Sequence, residues 1–174
     1  MTTMEDSVKL VAELMAISAR TAPKAIGEDF IDIKILSGDE IKKLGESMLN
    51  IAEERKVAPF ERDGNNVLNS DAVVLLGLRK HPPIGLNCGA CGFDCEEFEE
   101  QGRTIDFDGP NCIWRILDLG IAIGSAVKTA SMMNVDNRIM YRIGVAARQI
   151  GMMRSSVVIG IPLSATGKNI YFDR

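Results

Sequence analysis

The residues of this chain best suited to chemistry are its cysteines, which all lie in one short stretch. Three of them fall within eight residues and the fourth follows after a gap, in the spacing C-x2-C-x3-C-x16-C. They are Cys88, Cys91, Cys95 and Cys112. Structural zinc usually takes two separated pairs of ligands, whereas a compact group with a remote fourth thiolate is typical of ferredoxin-type clusters. The spacing therefore predicts a 4Fe–4S cluster, with zinc and redox-active thiols as the alternatives.

The residues around the cysteines also suit a metal-binding loop. Gly89 and Gly92 alternate with the cysteines, and glycine lets the backbone fold tightly and point N–H groups at sulfur. Cys112 is expected at the start of a long apolar helix, where the dipole and free N–H groups favour a thiolate. We therefore assign the metal ligands to the four cysteines and interpret residues 79–112 as an inserted cysteine-rich segment.

Composition and charge restrict the class of protein. Hydrophobic residues make up 46% of the 174 residues, enough for the core of a single α/β domain over residues 1–174. The net charge is −4 and no basic stripe is present, so we expect no nucleic-acid partner. No apolar run reaches the ~18 residues of a membrane span, and the first residues do not resemble a signal peptide. We expect a cytoplasmic protein with no membrane partner, in a compartment where clustered cysteines bind metal more often than they form disulfides.

Hydrophobic periodicity predicts alternating helices and strands. The predicted helices cover residues 4–20, 38–55, 112–133 and 135–151. The predicted strands cover residues 30–36, 71–78 and 157–163. Residues 56–70 are predicted to form a loop, because they contain Pro59, Gly64 and several asparagines. The alternation indicates an α/β domain with a layered sheet flanked by helices.

Several side chains carry more specific expectations. Ser37 and Glu40 fit a capping box at the start of the second helix, and Asn134 is a candidate N-cap for the fourth. His81, the only histidine, is expected to be a solvated loop residue. Asp118 interrupts the apolar third helix, and a buried carboxylate needs a partner. The candidate partners are Arg142, Arg148 and Arg174.

The third helix contains glycines, and the C-terminal tail is apolar. Gly is less favourable than Ala inside a helix by ~1 kcal/mol, so Gly120 and Gly124 are expected to serve close packing. Two interpretations remain open for them, a tight helix–helix crossing and the close approach of a flat cofactor. The tail carries Ile170, Tyr171 and Phe172 and is expected to dock either on its own domain or on a partner subunit.

The stretch NCGACGFDCEEF, followed by a remote cysteine, resembles the four-cysteine motif of corrinoid iron–sulfur and electron-transport proteins, which bind a 4Fe–4S cluster. That motif generally has four residues between its second and third cysteines, whereas this chain has three. Over most of its length the chain resembles an uncharacterised microbial family of ferredoxin-domain-containing proteins, a domain of unknown function. The likeness rests on ISARTAPKAIG, LNCGACGF, GPNC, DLGIAIGSAV, VDNRIMYRIG and GIPLSATGKNIYFDR.

A weaker resemblance concerns the scaffold. ARTAPKA, FIDIKIL and GDEIKKLGESM together are similar to the opening of FMN-dependent nitroreductases, and DLGIAIGSAVKTA and VVIGIPLSATGK to their central helix and last core strand. The likeness implies a mixed sheet flanked by helices, and a homodimer through the central helix and C-terminal tail with FMN at the subunit interface. It implies Arg20 and Lys168 as phosphate partners and Lys24 facing the isoalloxazine. The Arg-rich segment that holds the FMN phosphate in those enzymes is not seen in the opening residues MTTMEDSVKL.

The predicted function follows from the cysteine spacing and these resemblances. We expect an iron–sulfur redox protein that passes electrons through a 4Fe–4S cluster to a flavin or a small substrate. If the protein is an enzyme, it is then an oxidoreductase. The alternative is a non-enzymatic binding or sensor module, in which zinc or a cluster orders the cysteine loop for a partner. The sequence identifies neither the electron donor nor the acceptor.

Overall fold

The computed structural model describes residues 3–100 and 102–172, without the side chain of Glu100. The helices in these residues are α1 (Met4–Thr21), α2 (Asp39–Arg55), α3 (Ala58–Leu68), α4 (Cys95–Glu100), α5 (Ile113–Met132) and α6 (Tyr141–Gln149). The strands are β1 (Ile31–Leu36), β2 (Ala72–Leu78), β3 (Arg103–Thr104), β4 (Asp108–Gly109), β5 (Asp136–Asn137) and β6 (Val157–Ser164). A short 3-10 turn, Ala25–Gly27, lies between α1 and β1.

The central sheet has the strand order β1-β2-β6-β5. Each pair of neighbouring strands runs antiparallel, so the mixed sheet that the scaffold resemblance implies is wrong for the described strands. Strand β2 pairs along its whole length on both sides, so that its last residue, Leu78, lies opposite Ile31 of β1 and Val157 of β6. Every residue of β2 is buried, as the apolar run predicts. Helices cover both faces of the sheet, which confirms the predicted α/β fold with a sheet flanked by helices.

Two hydrophobic cores lie on opposite faces of this sheet. Helices α1 and α5 build the first, which contains Met15, Val74 and Ala126. Helices α2, α3 and α6 build the second, which contains Leu44, Val73 and Ile143. Neighbouring residues of β2 enter different cores because successive side chains of a strand point to opposite faces. In the part of the chain that the structure describes, no helix has the length and apolar character needed to cross a membrane.

The loop predicted over residues 56–70 is wrong, because most of it forms helix α3. Pro59 lies in the first helical turn, where a missing N–H costs nothing because no intrahelical acceptor is available there. Gly64 lies against α2, where an added Cβ would stand 3.1 Å from Met48 Cβ and 3.3 Å from the Gly45 carbonyl oxygen. The proline and glycine that resemble loop residues therefore start a helix and let it cross α2 closely.

The predicted capping box at Ser37 and Glu40 is also wrong. Helix α2 begins after Gly38, which is its N-cap and makes no side-chain cap. The φ of 53° and ψ of −124° at Gly38 belong to a region that only glycine enters readily. Glu40 pairs instead with Lys34 of β1, at 2.8 Å.

The fourth predicted helix begins later than the sequence pattern indicates. Asp136–Asn137 form strand β5 beside β6, and Met140 bridges to Gly160 before α6 starts. Asn134 takes a left-handed conformation with a φ of 56° in the turn after α5, so it does not cap α6. The backbone of this segment completes the edge of the sheet, an interaction that local helical periodicity cannot reveal.

The C-terminal tail docks on its own domain as far as the structure describes it. Tyr171 is buried, and its hydroxyl lies 2.8 Å from the Ser70 hydroxyl. Arg138 donates a hydrogen bond to the Tyr171 carbonyl oxygen at 2.8 Å, and its guanidinium lies 4.9 Å from the centre of the Phe172 ring. Of the two predicted alternatives, docking on its own domain is therefore the one observed for these residues.

Close packing by glycine occurs at α6 rather than at α5. A Cβ on Gly120 or Gly124 would meet no described atom within 4 Å, so the tight crossing expected at these glycines is not formed among the residues that the structure describes. In contrast, a Cβ on Gly144 of α6 would stand 1.6 Å from the Val158 carbonyl oxygen of β6. Helix α6 thus rests directly on the backbone of a central strand.

Replacing Gly144 by alanine tests this contact. We expect Gly144→Ala to lower the free energy of unfolding by about 2–3 kcal/mol, because the strain of overpacking exceeds the ~1 kcal/mol that alanine adds to helix propensity. Chemical denaturation measures the change. The control Gly167→Ala, at a site with open space around the added Cβ, should stay within about 0.5 kcal/mol of the parent. Equal stability of the two variants would contradict the contact.

Candidate metal centre

The cysteine-rich segment leaves the sheet after β2 and is anchored first by His81. The imidazole lies between the rings of Phe30 and Phe98, with centroid distances of 6.1 Å to each. Its Nε2 lies 3.2 Å from Asn111 Oδ1, and only 9% of the residue is exposed. The prediction of a solvated histidine is therefore wrong, because two distant aromatic residues enclose it. Burial lowers the pKa of His81 below its ordinary value, so the ring is neutral at pH 7.

A second anchor holds the hairpin of β3 and β4. Asp106, in the turn between these strands, accepts hydrogen bonds from Arg55 at 2.7 Å and from the Tyr141 hydroxyl. Asp108 accepts from Arg148 at 2.7 Å. Burial acts to raise the pKa of Asp106, but the bonds from Tyr141 and Arg55 outweigh it and lower the pKa below its ordinary value. Burial and the same carboxylate raise the pKa of Tyr141 to about 12.

Between the two anchors, Asn87 closes the loop that carries three of the cysteines. Its side-chain oxygen accepts a hydrogen bond from the backbone N–H of Cys95 at 2.9 Å, and its own N–H donates to the Cys95 sulfur at 3.3 Å. Asn87 takes a left-handed conformation, with a φ of 48°. Asparagine enters this region more readily than most residues. Sequence reasoning missed Asn87, although its place before the first cysteine and its tolerance of this conformation are visible signals.

Cys88 lies beside the start of α5. Its sulfur accepts hydrogen bonds from the backbone N–H of Ala90 and from the side chain of Trp114, and these bonds lower the pKa of the thiol. Trp114 belongs to the first turn of α5. A residue of the compact loop is therefore held against the same helix start that carries the remote cysteine.

Cys112 is the N-cap of α5, as the sequence predicts. Its side chain makes no capping hydrogen bond, and the residue is buried. The first N–H groups of a helix have no intrahelical partner and carry partial positive charge. A thiolate at this position would be stabilised by that field.

The four cysteines are suitable ligands for a thiolate-bound metal group, but their sulfurs do not lie close enough together to bind one. None of the four cysteines forms a disulfide. Backbone N–H groups already point at the sulfurs of Cys88 and Cys95, and Gly89 and Gly92 take the positive φ values of 67° and 90°. Among residues 3–100 and 102–172, however, no three Cys, His, Asp or Glu side chains form a group that could hold a metal ion. Binding therefore requires the loop to close further around the ion or cluster.

A buried ion pair lies beneath the start of α5. Arg115 is 1% exposed and lies 3.6 Å from Asp118, which accepts a hydrogen bond from the Ala25 N–H at 2.8 Å. The guanidinium also donates to Glu28 and sits 4.7 Å from the centre of the Phe30 ring. Arg115 thereby ties the first turn of α5 to the segment between α1 and β1.

The predicted partners of Asp118 are wrong where the structure describes them. Arg142 pairs with Asp63 at 2.9 Å and Arg148 with Asp108, while Arg174 lies outside the described residues. The observed partner, Arg115, lies three residues earlier on the same helix. Residues at this spacing share a helix face, so the pair was detectable from the sequence.

The residues implied for FMN do not form one site within the chain. Arg20 bonds to Asp29 and to the Ile31 carbonyl oxygen at 2.8 Å, near the start of β1. Lys24 bonds to the last carbonyl groups of α1, including that of Arg20 at 2.6 Å. Ile31 and the first residue of β6, Val157, lie at the same end of the sheet, because both stand opposite Leu78. Lys168 follows the last residue of β6 and therefore lies at the other end. In one chain, only Arg20 and Lys24 are neighbours.

Comparisons with known proteins address the family. Residues 108–174 match a domain family described as uncharacterized proteins containing a ferredoxin domain. This part of the chain includes Cys112 but not the three cysteines of the compact loop. An uncharacterized protein of Archaeoglobus fulgidus is 49% identical over 171 residues, which cover 97% of this chain and 92% of that protein.

Comparisons with solved structures address the fold. The nitroreductase-like family protein from Bacillus cereus aligns with a TM-score of 0.61 at 14% identity, over 92% of this chain and 76% of that protein. An FMN-dependent nitroreductase from Mycobacterium smegmatis, solved in complex with NADPH, aligns with a TM-score of 0.62 at 10% identity, over 91% and 78% of the two chains. At these identities the likeness confirms the nitroreductase-like fold that the scaffold resemblance implies.

The hairpin anchor predicts a dependence of stability on pH. The ionised Asp106 carboxylate contributes about 1 kcal/mol to folding through its bonds to Arg55 and Tyr141. Because its folded-state pKa is lowered, this contribution is complete above about pH 4, the unfolded value, and is lost as the pH falls through the folded value. Asp106→Asn should therefore be less stable than the parent at pH 7, and the difference should narrow as the pH falls below 4 to pH 3.

Urea denaturation at both pH values measures this difference. The matched control is Glu13→Gln, which changes an exposed carboxylate of α1 that has no ion pair among the described residues. Its stability should follow the parent at both pH values. A constant difference between Asp106→Asn and the parent from pH 7 to pH 3 would contradict the anchor.

Proposed function

The chain belongs to the family of uncharacterized proteins containing a ferredoxin domain, and from this membership we propose that it is a redox protein that holds a 4Fe–4S cluster. Cys88, Cys91, Cys95 and Cys112 would be the ligands. When bound, such a cluster supplies one-electron transfer. The nitroreductase-like fold is consistent with a redox role, although fold alone does not determine function.

One observation carries the proposal. The compact loop approaches the helix that carries the remote cysteine, because the side chain of Trp114, two residues after Cys112, acts on the Cys88 thiol and lowers its pKa. If all four cysteines bind one metal group, the loop with the first three must lie close to the start of α5, where the fourth is found. A zinc ion held by all four cysteines would require the same approach, so metal analysis distinguishes it from a cluster, whereas simple packing of the segment requires no such contact.

The chain's own groups have defined tasks at this site. The Asn87 N–H donates to the Cys95 sulfur, and the Ala90 N–H lowers the pKa of the Cys88 thiol; backbone groups of this kind orient the ligands of a metal site. The free N–H groups at the start of α5 favour negative charge at Cys112. Asn87 also holds the two ends of the compact loop together through its side chain.

A second candidate function is a non-enzymatic module in which zinc or a cluster orders the loop for a partner. It is supported by the way the segment is built: His81 and Asp106 anchor its two halves, and three of the four cysteines lie between them. A metal there would cross-link a segment with little apolar packing of its own. The two functions differ in whether the metal centre accepts and releases electrons.

Metal analysis of anaerobically purified protein tests the cluster. We expect ~4 iron and ~4 sulfide per chain, with a broad visible absorbance that dithionite bleaches and an oxidant restores. Cys112→Ser should lower the iron content to less than about half, because one of four ligands is lost. The control Asp94→Asn alters the same loop without removing a thiol and retains an N-cap residue for α4, so it should keep its iron.

Other outcomes decide between the candidates. One zinc per chain with no visible absorbance would reject the cluster in favour of the zinc module. A full cluster that dithionite cannot reduce would favour the non-enzymatic module. Iron retained by Cys112→Ser would remove this residue from the ligand set.

We also propose that the protein is a homodimer through the outer face of α5, with FMN as a further cofactor at that interface. Trp114, Leu117 and Ile121 are 38%, 46% and 44% exposed on this face. Gly120 and Gly124 lie beside them, with open space where a side chain would be. A flat apolar face with two glycines suits the close approach of a second helix or an aromatic ring system. The described tail packs internally, so α5 is the surface that supports the contact.

Charge substitution on α5 tests the dimer. Leu117→Glu and Ile121→Glu should convert the dimer to monomer in sedimentation velocity, because each would bury an unpaired charge at the interface. Val57→Glu, at a half-exposed position before α3, serves as the control and should remain dimeric. A monomeric parent would overturn the dimer, and denatured protein that releases no flavin would overturn FMN binding.

A further inference from the structure

A cleft of about 820 Å³ lies between the cysteine-rich segment and the end of the sheet. Its walls come from the start of the segment, from α4, from the β3–β4 hairpin and from the residues just before β6. The polar residues used below are Lys80, His81, Arg103, Asn111, Arg154 and Ser156. Pockets for small-molecule ligands usually have volumes of about 300–1,000 Å³, so the cleft has a suitable size.

The arginines of this cleft differ from the other arginines of the structure. Arg103 and Arg154 make no side-chain hydrogen bond or ion pair within residues 3–100 and 102–172. Eight other described arginines bond to a carboxylate or a carbonyl oxygen: Arg20, Arg55, Arg62, Arg79, Arg115, Arg138, Arg142 and Arg148. The two described arginines that lack a partner therefore line the same cavity.

The charge of the cleft is positive although the protein is acidic. Lys80 also lines the cleft and has no ion pair among the described residues. Two carboxylates line the cleft, those of Glu99 and Asp108. Asp108 is paired with Arg148 at 2.7 Å. The charge of Glu99 is then opposed by the three cations Lys80, Arg103 and Arg154. The whole chain has a net charge of −4. A locally positive cavity in such a protein concentrates anions.

Uncharged polar groups in the cleft suit an oxyanion as well. Ser156 is a buried residue, and its hydroxyl makes no hydrogen bond within the described chain, so it can donate to a ligand. Asn111 is held in place, because its side-chain nitrogen donates to the Asp108 carbonyl oxygen at 2.6 Å and its oxygen meets His81.

We propose that this cleft binds a small molecule through an oxyanion group, a phosphate or a carboxylate, held by Arg103 and Arg154 with Lys80 and Ser156. Guanidinium groups recognise these anions by paired N–H donors, which gives both charge and direction. The proposal goes beyond the redox function and does not depend on a metal at the cysteines. Because one wall belongs to the cysteine-rich segment, a ligand in the cleft would contact the segment directly.

Calorimetric titration of the isolated protein tests the site, with inorganic phosphate and succinate as probes and chloride at equal ionic strength as the reference. We expect saturable binding of one phosphate or succinate per chain. Arg103→Gln/Arg154→Gln should weaken it at least tenfold. The control Lys42→Gln/Lys43→Gln removes the same charge from the exposed face of α2 and should change the affinity less than twofold.

A measurement on the unaltered protein guards against variants that fold poorly. Phenylglyoxal modifies accessible guanidinium groups, and mass spectrometry of peptides gives the rate at each arginine. The probe that binds should slow the modification of Arg103 and Arg154 at the concentration that saturates the titration. Arg62, whose side chain is half-exposed outside the cleft, should react at an unchanged rate.

Three outcomes would overturn the proposal. The first is that neither phosphate nor succinate saturates the protein, and the second is that the control double variant weakens binding as much as the arginine variant. The third is equal protection of all accessible arginines. Each would show a general ionic effect in place of a site. Protection by phosphate alone or by succinate alone supports the site and identifies the ligand class.

Discussion

The burial of β2 on both faces is the constraint on which the remaining structure depends. Every residue of this strand is buried, and it pairs along its full length with β1 on one side and β6 on the other. A strand of this kind must be covered by helices above and below, and α1 with α5 and α2 with α6 meet this requirement. The residues of β2 itself are apolar and buried. The cysteine-rich segment, with the candidate metal ligands, therefore begins where the chain leaves the sheet at the end of β2.

The cysteine-rich segment is held by a different kind of interaction from the rest of the domain. Its first half depends on a histidine enclosed by two aromatic rings, and its second half on carboxylates bonded to arginines of α2 and α6. Phe107 of the hairpin also packs against the second core, so the segment is held by apolar as well as polar contacts. The buried Arg115 holds the first turn of α5 in place through its ion pair with Asp118. Cys112, the N-cap of that turn, is positioned with it.

Much of the fold could be predicted from the sequence because it follows local patterns. Helices α1, α2 and α5 and strands β1, β2 and β6 have clear hydrophobic periods, and their positions were predicted within a few residues. Helix α3 was missed because Pro59 and Gly64 have roles that depend on their position, one in a first turn and one against α2. The burial of His81 could not be predicted, since Phe30 and Phe98 are brought to it by the fold. The cysteines stand out by spacing, but their hydrogen bonds to Trp114 and Asn87 depend on the loop conformation.

The cysteine-rich segment leaves the domain at the end of β2 and rejoins it at the start of α5. This arrangement determines which changes of length the segment can accept. Both attachment points are fixed by the sheet and by α5, so residues added or removed between the anchoring contacts of the segment alter mainly the entropy of closing the loop. Doubling the length of a flexible loop costs ~0.6 kcal/mol, which is small beside the stability of a domain. The scaffold can therefore accept insertions and deletions in this segment, including a change in the number of residues between two cysteines, while the sheet and both cores stay as they are.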